Sequence, residues 1–285
     1  MVLPSDRVTQ RIFIQANNNQ LIAAKVAKYA LETRGRAREH GASVALLNVE
    51  EMQPFRAFDG STYLRGGKRN RFDLRTMQSF TLSRFMPPEL MRFSGRALVI
   101  DPDVFALADI GELLDSDLQD NAIAACRCDL GWETSLMLLD CAKLTHWRIG
   151  EILAALKDQS VDYYDLIFLR SEKDVLELPD EWNSLDVIRP ETKMLHTTVK
   201  GTQPWKTGLL LGGKPRPLFG VIPRPPLRRL FIKPARFQPH PEPDVERAFM
   251  DLLKEALAAG AVTNAEIDDA IKQEFVRPDI RARIA

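Results

Sequence analysis

The chain has 285 residues, and its 39 lysine and arginine residues balance 39 aspartate and glutamate residues, so the formal net charge is zero. An apolar share of 45% and a charged share of 27% are ordinary for a globular protein and exclude a collagen-like repeat, a disordered tail and a disulfide scaffold. No run approaches the ~20 apolar residues of a spanning helix, and the charged first residues lack the apolar core of a secretory signal. These features predict a cytoplasmic protein.

The first elements predict an α/β protein. Residues 11–16 are a predicted buried strand that ends in polar Asn17. A helical pattern follows over residues 20–34, and residues 43–48 are a predicted second buried strand. Strand, helix and strand in this order are typical of a parallel sheet.

Predicted strands and helices alternate less regularly in the middle and at the end of the chain. Residues 55–76 are basic and aromatic without a strong period, which predicts a long surface loop. Thr263 to Glu266 is a predicted capping box at the start of a C-terminal helix. The other predicted elements are helices at 89–92, 110–114, 145–157 and 244–259 and strands at 97–100 and 136–139.

The charge is unevenly distributed. From Thr192 to Pro241 the chain has ten basic residues, no acidic residue and nine of its 18 prolines, which predicts an irregular segment. Such a segment suggests an anionic partner, such as a phosphate, a lipid head group or a nucleic acid. The alternative is a solvated loop whose charges pair with the acidic remainder. The three cysteines, Cys126, Cys128 and Cys141, are predicted to be buried reduced thiols.

The motif with the clearest chemistry is Asp101-Pro102-Asp103, which directly follows the apolar strand at 97–100. Ligands of open α/β sheets bind at the edge where such strands end. Two neighbouring carboxylates repel each other, and Mg²⁺ or Mn²⁺ bound between them would relieve the repulsion and bridge to a diphosphate. A turn or a helix cap is the alternative explanation of the motif.

Several further blocks accompany this motif in a fixed order. They are Arg84 before Met-Pro-Pro-Glu-Leu, Ala108 to Leu113 after the two aspartates, Asp129 to Trp132, Leu178 to Asn183, and Leu195-His196 followed by Gln203 to Lys206. Together these blocks resemble glycosyltransferase family 8, which includes glycogenin and bacterial galactosyltransferases. The resemblance covers residues 10–206 approximately.

This resemblance implies a GT-A fold, with a Rossmann-like, mostly parallel central sheet flanked by helices and a C-terminal helical appendage. The implied domains are a catalytic, nucleotide-sugar-binding domain over 1–206, a proline-rich basic segment over 207–243 and a helical region over 244–285. The implied activity is metal-dependent transfer of a hexose from a nucleotide sugar, a UDP-hexose in most family members. The expected acceptor is a glycan or a lipid-linked sugar, and the expected outcome is retention of the anomeric configuration.

The resemblance also implies roles for single residues. Asp101 and Asp103 would hold Mn²⁺ or Mg²⁺ with His196 as the third ligand, although a lone histidine is also a common structural residue. Arg84 would contact the donor near its phosphates and sugar, unless it forms a surface ion pair. The other implied nucleotide contacts are Gln15, Ala16 and Asn17 at the base and ribose, and Lys200, Gln203 and Lys206 at the diphosphate.

The chain departs from the family pattern where the family recognises the sugar. The family's Asn-Ser-Gly is here Glu133-Thr134-Ser135, and its Asp-Gln-Asp run is here Tyr163-Tyr164-Asp165. Glu133 and Asp165 are the candidate catalytic carboxylates beside the two metal-binding aspartates, and Asp162 is the alternative after a local shift. Glu133 and Asp129 are candidate partners of the sugar hydroxyls, unless they are exposed loop carboxylates. Gln203 stands where the family has a phosphate-binding lysine. These departures leave open a catalytically weakened member that binds a nucleotide or glycan without transferring it.

The basic segment suggests a second role. Its interleaved arginines and apolar side chains over 207–241 favour peripheral contact with the inner membrane face, where anionic lipids attract basic residues. A strap packed across the catalytic domain is the alternative. A basic-arm protein that binds membrane or nucleic acid, with the α/β part as scaffold, is the rival functional hypothesis, and nucleic acid is the less expected partner.

Overall fold

The computed structural model describes residues 9–211 and 235–285. The chain divides into a first unit that ends at His196 and a second unit that begins at Thr197. Residues 212–234, which make up most of the predicted basic segment, lie outside the described residues.

Strands and helices alternate through the first unit, and helices dominate the second. The described strands are β1 (Gln10–Ala16), β2 (Ser43–Asn48), β3 (Thr62–Arg65), β4 (Lys68–Arg71), β5 (Arg96–Ile100), β6 (Val104–Ala106), β7 (Ile123–Cys128), β8 (Gly131–Asp140), β9 (Val175–Glu177), β10 (Ser184–Leu185) and β11 (Met194–His196). The described helices are α1 (Leu21–Thr33), α2 (Gln53–Phe58), α3 (Pro87–Leu90), α4 (Gly111–Leu114), α5 (Ile149–Lys157), α6 (Tyr163–Ile167), α7 (Pro243–Ala258), α8 (Asn264–Lys272) and α9 (Ile280–Ile284).

The first unit is built on a six-stranded sheet with the order β2-β1-β5-β8-β7-β9. Strand β1 pairs in parallel with β2 and β5, and β7 pairs in parallel with β9. Strand β8 is antiparallel to both of its neighbours. The sheet is therefore mixed with mostly parallel pairings, which confirms the predicted α/β fold class.

Continuous apolar runs place β1 and β5 at the centre of this sheet. Ile12, Ile14, Val99 and Ile100 are all fully buried, as expected of strands that are covered on both faces. The apolar face of α1 packs on the same sheet, where Val26 has no exposed surface. The predictions of these two strands and of α1 are confirmed. Residues 43–48 form a strand as predicted, but only Leu47 and Asn48 in it are buried, because β2 lies at the edge of the sheet.

The prediction of a long surface loop over residues 55–76 is wrong. The segment contains α2 and an antiparallel hairpin of β3 and β4. All four residues of β4 (Lys-Arg-Asn-Arg) are exposed, so no alternation of apolar and polar residues marks this strand in the sequence. Strands β6, β7, β9, β10 and β11 and helices α6 and α9 were not predicted, and the helix expected from residue 145 begins at Ile149.

A second, three-stranded sheet of order β10-β11-β6 positions part of the site. Strand β11 runs antiparallel to β6, with His196 opposite Val104, and it runs parallel to β10. Because Val104 directly follows Asp103, this pairing brings the imidazole of His196 to the end of β5.

The second unit has its own apolar contacts. The ring of Trp205, which is fully buried, lies 4.8 Å from the ring of Phe249 in α7. The predicted capping box is confirmed, since Thr263 and Glu266 exchange side-chain and backbone hydrogen bonds at the start of α8. No helix in the described part of the chain is long and apolar enough to span a membrane.

The three cysteines, which belong to the first unit, are free. Cys126 and Cys141 are buried, as predicted, and burial raises the pKa of each of these two thiols to about 12. Cys128 is partly exposed, because it lies at the end of β7 beside the turn into β8.

Candidate functional site

Two carboxylates and an imidazole meet at the carboxyl end of β5. Asp101 and Asp103 leave the sheet immediately after the strand, and β11 supplies His196. One ligand atom from each residue lies within 4.8 Å of the others, and all three side chains are buried. The His196 Nε2 atom is 3.5 Å from Asp103 Oδ1. The fold thus brings together the three residues predicted to hold a metal.

The orientation of the His196 ring is determined by a second layer of buried side chains. Its Nδ1 atom lies 3.0 Å from the Oδ1 atom of Asn183, the residue before β10. The amide group of Asn183 donates to the Ser135 hydroxyl at 3.3 Å. Because an amide oxygen only accepts, Nδ1 carries a proton, and Nε2 is the ring nitrogen that faces Asp103.

Arg84 occupies the other side of Asp101. Its Nε atom donates to Asp101 Oδ1 at 2.8 Å, its Nη2 atom donates to Asp101 Oδ2, and its Nη1 atom donates to the Thr134 hydroxyl at 2.6 Å. Only 11% of the Arg84 side chain is exposed, so it does not form the surface ion pair that was its alternative interpretation. A bidentate pair of this kind fixes the carboxylate in one plane.

The charges of the cluster respond to burial and to one another. Burial raises the pKa of Asp101, and Arg84 only partly offsets this effect. Burial lowers the pKa of His196, but the Asp103 carboxylate outweighs it and leaves this pKa above its usual range. Two buried carboxylates thus face one arginine and one imidazole. A divalent cation fits this donor set, since carboxylate oxygens and a neutral imidazole are its common ligands.

The end of β1 lies beside the cluster because β1 and β5 are neighbouring parallel strands, with Ile14 opposite Ile100. Gln15, Ala16 and Asn17 are fully buried there. The Ser83 hydroxyl lies 2.6 Å from Gln15 Oε1, and the Asn17 amide donates to the carbonyl oxygen of Thr76 at 2.8 Å and to the Ser79 hydroxyl at 2.9 Å. The segment around 76–83 therefore lies against the predicted base and ribose contacts.

The two remaining candidate carboxylates lie in different surroundings. Glu133 is partly buried, and its charge acts on both Arg84 and His196, so it lies near the cluster. Asp165 lies on α6 with 41% of its side chain exposed, and it pairs with Arg170 at 3.3 Å. The chain thus brings Glu133 toward the predicted metal ligands and holds Asp165 in a surface ion pair.

Three predicted diphosphate contacts belong to the second unit. Lys200 is exposed, whereas Gln203 and Lys206 are buried. Within that unit the Lys206 Nζ atom donates to the carbonyl oxygen of Phe275 at 3.1 Å. Burial lowers the pKa of this amine to about 7. Their roles as phosphate ligands remain predictions.

Sequence reasoning assigned no role to three residues that order the cluster. Asn183, Ser135 and Thr134 contact the predicted ligands or Arg84 through buried hydrogen bonds. Asn183 occurs in a sequence block that carries the family resemblance, which was the available signal, whereas Thr134 and Ser135 stand where the chain departs from the family pattern. Their roles depend on which side chains meet across the two sheets.

Comparison with solved structures relates the fold to glycosyltransferases. GlyE of Streptococcus pneumoniae TIGR4, in its apo form, aligns with a TM-score of 0.52 and 16% identity over 90% of this chain and 64% of its own. The galactosyltransferase LgtC in complex with donor and acceptor sugar analogs aligns with a TM-score of 0.48 and 18% identity, over 69% of this chain and 89% of its own. The bifunctional glycosyltransferase WbbM in its apo form aligns with a TM-score of 0.47 and 15% identity, over 72% of this chain and 48% of its own.

No protein-family model matches the chain, and no curated protein has a significantly similar sequence. At 16% identity the likeness to GlyE shows the fold, and the chain spans less than two thirds of that protein. The chain therefore has the GT-A fold predicted from its sequence.

Proposed function

We propose that this protein is a metal-dependent glycosyltransferase that transfers a hexose unit from a UDP-sugar to a glycan or lipid-linked acceptor. The observation that supports the proposal best is the buried meeting of Asp101, Asp103 and His196 at the carboxyl edge of a GT-A sheet. Ligands of open α/β sheets bind at this edge. Mn²⁺ is the ion we expect, and retention of the anomeric configuration is part of the proposal through the family resemblance.

Each residue of the cluster has a separate task in this proposal. Asp101, Asp103 and His196 hold the divalent cation, which when bound supplies Lewis-acid stabilisation of the leaving diphosphate. Arg84 holds Asp101 in a fixed plane and offsets part of the burial that raises the pKa of this carboxyl, and its charge adds to the positive field at the phosphates. Asn183 keeps the Nε2 lone pair of His196 directed toward the ion.

The end of β1 supports a nucleotide at the same edge. Gln15 is a buried polar residue of β1, the strand next to β5, and the buried Asn17 directly follows this strand, near the level where Asp101 begins. We assign them to the base and ribose, with Ala16 between them. The segment around Ser79 and Ser83 would hold these side chains in place.

Titration of UDP into the protein by calorimetry, with and without Mn²⁺, tests this function. Wild-type protein should bind UDP only with Mn²⁺, and Asp103→Asn should abolish the metal-dependent part. Asp174→Asn, at an exposed aspartate of the first unit, is the matched control and should bind as wild type does. Metal-independent UDP binding, or equal binding by Asp103→Asn, would refute the site.

The replacement of the family's Asp-Gln by Tyr163 and Tyr164 favours one second candidate, a protein that binds the nucleotide sugar without transferring its sugar. Incubation of the Mn²⁺-loaded protein with UDP-sugars separates the two candidates. Release of UDP from any donor, lost in Asp103→Asn, supports the enzyme. Metal-dependent binding without release of UDP from any donor supports the binding protein.

A further inference from the structure

The outer strand of the β3–β4 hairpin carries a row of exposed cationic side chains. Strand β4 consists of Lys68, Arg69, Asn70 and Arg71, and all four residues are exposed. Successive side chains of a strand point to opposite faces, so Arg69 and Arg71 lie on one face of the hairpin and Lys68 lies on the other. Residues 60–72 contain four basic residues and no acidic one. The three charged residues of the strand, Lys68, Arg69 and Arg71, are the β4 cations.

The β4 cations are not neutralised by the fold. In the part of the chain that the structure describes, none of them lies within ion-pair distance of an aspartate or glutamate. The Arg71 Nε atom donates to the carbonyl oxygen of Gly60 at 3.1 Å. Asp162, which reaches the turn of the hairpin, accepts from the Gly66 amide at 2.9 Å and from the Gly67 amide at 2.7 Å. One carboxylate at the turn thus faces four basic side chains, and the hairpin keeps an excess of positive charge.

The hairpin exposes charges and hydrogen-bond donors without a large apolar surface. Its two aromatic residues, Tyr63 and Phe72, are buried. The hairpin therefore offers no large exposed side chain for insertion into a lipid bilayer and no free ring on which nucleic acid bases could stack. The guanidinium groups of Arg69 and Arg71 and the amide of Asn70 instead match the carboxylate or phosphate oxygens and the hydroxyls of a charged sugar chain.

The inner strand of the hairpin adjoins the proposed catalytic site. The ring of Tyr63 in β3 lies 5.6 Å from the ring of Tyr163. Tyr163 is buried and lies within electrostatic range of Asp101 and Arg84. An acceptor chain that reaches the Asp101–Arg84 pair with one end therefore has the exposed hairpin close to the rest of its length.

We propose that the β4 cations dock an acidic glycan, a sugar chain with carboxylate or phosphate groups, and that this chain carries the acceptor. This inference rests on the proposed function, because the hairpin serves the transfer only if a sugar is handed over near the Asp101–Arg84 pair. Exposed ion pairs are individually weak, and salt screens them. A chain with repeated charges compensates for this weakness, since it contacts several of the β4 cations at once.

Calorimetry with three mannose-based probes tests this docking surface. Oligosaccharides of mannan are neutral, those of phosphorylated mannan carry phosphates, and those of polymannuronate carry carboxylates. Wild-type protein should bind at least one charged probe about tenfold or more tightly than neutral mannan, and added salt should weaken this binding. The charged probe that binds more tightly identifies the anionic group. Single-stranded RNA and vesicles that contain phosphatidylglycerol are the comparison polyanions and should bind more weakly.

Two variants with the same loss of charge locate the binding. The β4 variant combines Lys68→Gln, Arg69→Gln and Arg71→Gln. It should bind charged and neutral probes equally and keep metal-dependent UDP binding, which shows that it is folded. The matched control replaces one lysine and two arginines at exposed positions elsewhere in the first unit and should keep the preference for the charged probe. Its substitutions are Arg92→Gln, Lys143→Gln and Arg189→Gln.

Four outcomes would overturn the inference. They are equal binding of charged and neutral probes by wild type, a preference that survives in the β4 variant, an equal loss of preference in the control variant, and tighter binding of RNA or vesicles than of either charged probe. In each of these cases metal-dependent UDP binding still supports the proposed function. Absence of UDP binding in wild type would overturn the proposed function, and the acceptor role of the glycan with it.

Discussion

The contact between Asn183 and His196 gives the most direct test of how the site is ordered. Asn183→Leu keeps the approximate size of the side chain and removes the oxygen that faces His196 Nδ1 at 3.0 Å. Both residues are at least nine-tenths buried, so water has little access to replace the lost acceptor. A buried donor left without a partner costs about 1–3 kcal/mol.

The ring can avoid this cost by moving its proton to Nε2, where Asp103 Oδ1 lies 3.5 Å away. That tautomer has no lone pair directed at the proposed ion. The loss of a residue that orients a ligand usually weakens metal binding by about 10–100-fold, which agrees with the hydrogen-bond estimate. We therefore expect Asn183→Leu to weaken Mn²⁺ binding by that factor.

Two measurements check this expectation. Electron paramagnetic resonance titration gives the Mn²⁺ affinity, and ¹⁵N chemical shifts of His196 in metal-free protein, recorded above the raised pKa of this imidazole, report its tautomer. Asn183→Asp is the conservative variant, because a carboxylate oxygen still accepts from Nδ1 and the Ser135 hydroxyl can donate to the carboxylate. It should keep Nδ1 protonated. A folded Asn183→Leu protein with unchanged Mn²⁺ affinity and unchanged ¹⁵N shifts would refute the reasoning.

Three further predictions concern stability. Gly66→Ala should lower the free energy of unfolding by more than about 1 kcal/mol in chemical denaturation, because φ is +58° and the added Cβ would meet the Tyr164 ring at 2.9 Å. Gly67→Ala, at φ +71° with open space around it, should lose only the backbone-strain part of this energy. Equal losses in the two variants would contradict this account. Phe249→Ala should lower the unfolding free energy of the second unit by about 3–5 kcal/mol, since its ring is fully buried against an indole, and a loss below about 1 kcal/mol in urea would show that this packing matters little. The pKa of Lys206 is about 7 in the folded protein and near 10.5 in the unfolded chain. Between pH 7 and pH 10.5 the unfolded chain therefore binds one proton more than the folded protein. The free energy of unfolding should rise with pH over this range by roughly 1 kcal/mol per pH unit. Lys206→Met should remove that rise, and parallel stability curves for the two proteins would contradict the burial argument.

Local sequence patterns predicted much of the central sheet. The apolar runs of β1, β2 and β5 have one interpretation at their length and position, and the acidic pair after β5 marks the edge where ligands bind. The capping box before α8 was also readable, because its two hydrogen bonds join residues three apart in the chain. In each case the interactions that form the feature are local or follow from simple burial.

The hairpin of β3 and β4 shows where this reasoning stops. Its outer strand is entirely polar and exposed, so no periodic pattern separates it from a loop. It is ordered by the Asp162 carboxylate, which comes from far along the chain and accepts from two glycine amides at the turn. Sequence spacing alone does not predict a contact of this kind.

The sequence by itself determined that two carboxylates follow the end of a buried strand. It also determined that His196 belongs to a sequence block that resembles the family pattern. Only the tertiary structure decided that the three side chains meet, because the antiparallel pairing of β11 with β6 places His196 opposite Val104. The same holds for Asn183, whose contact with His196 joins residues 13 apart in the chain. Strand composition follows from local burial, whereas the geometry of a site depends on which strands pair and in which register.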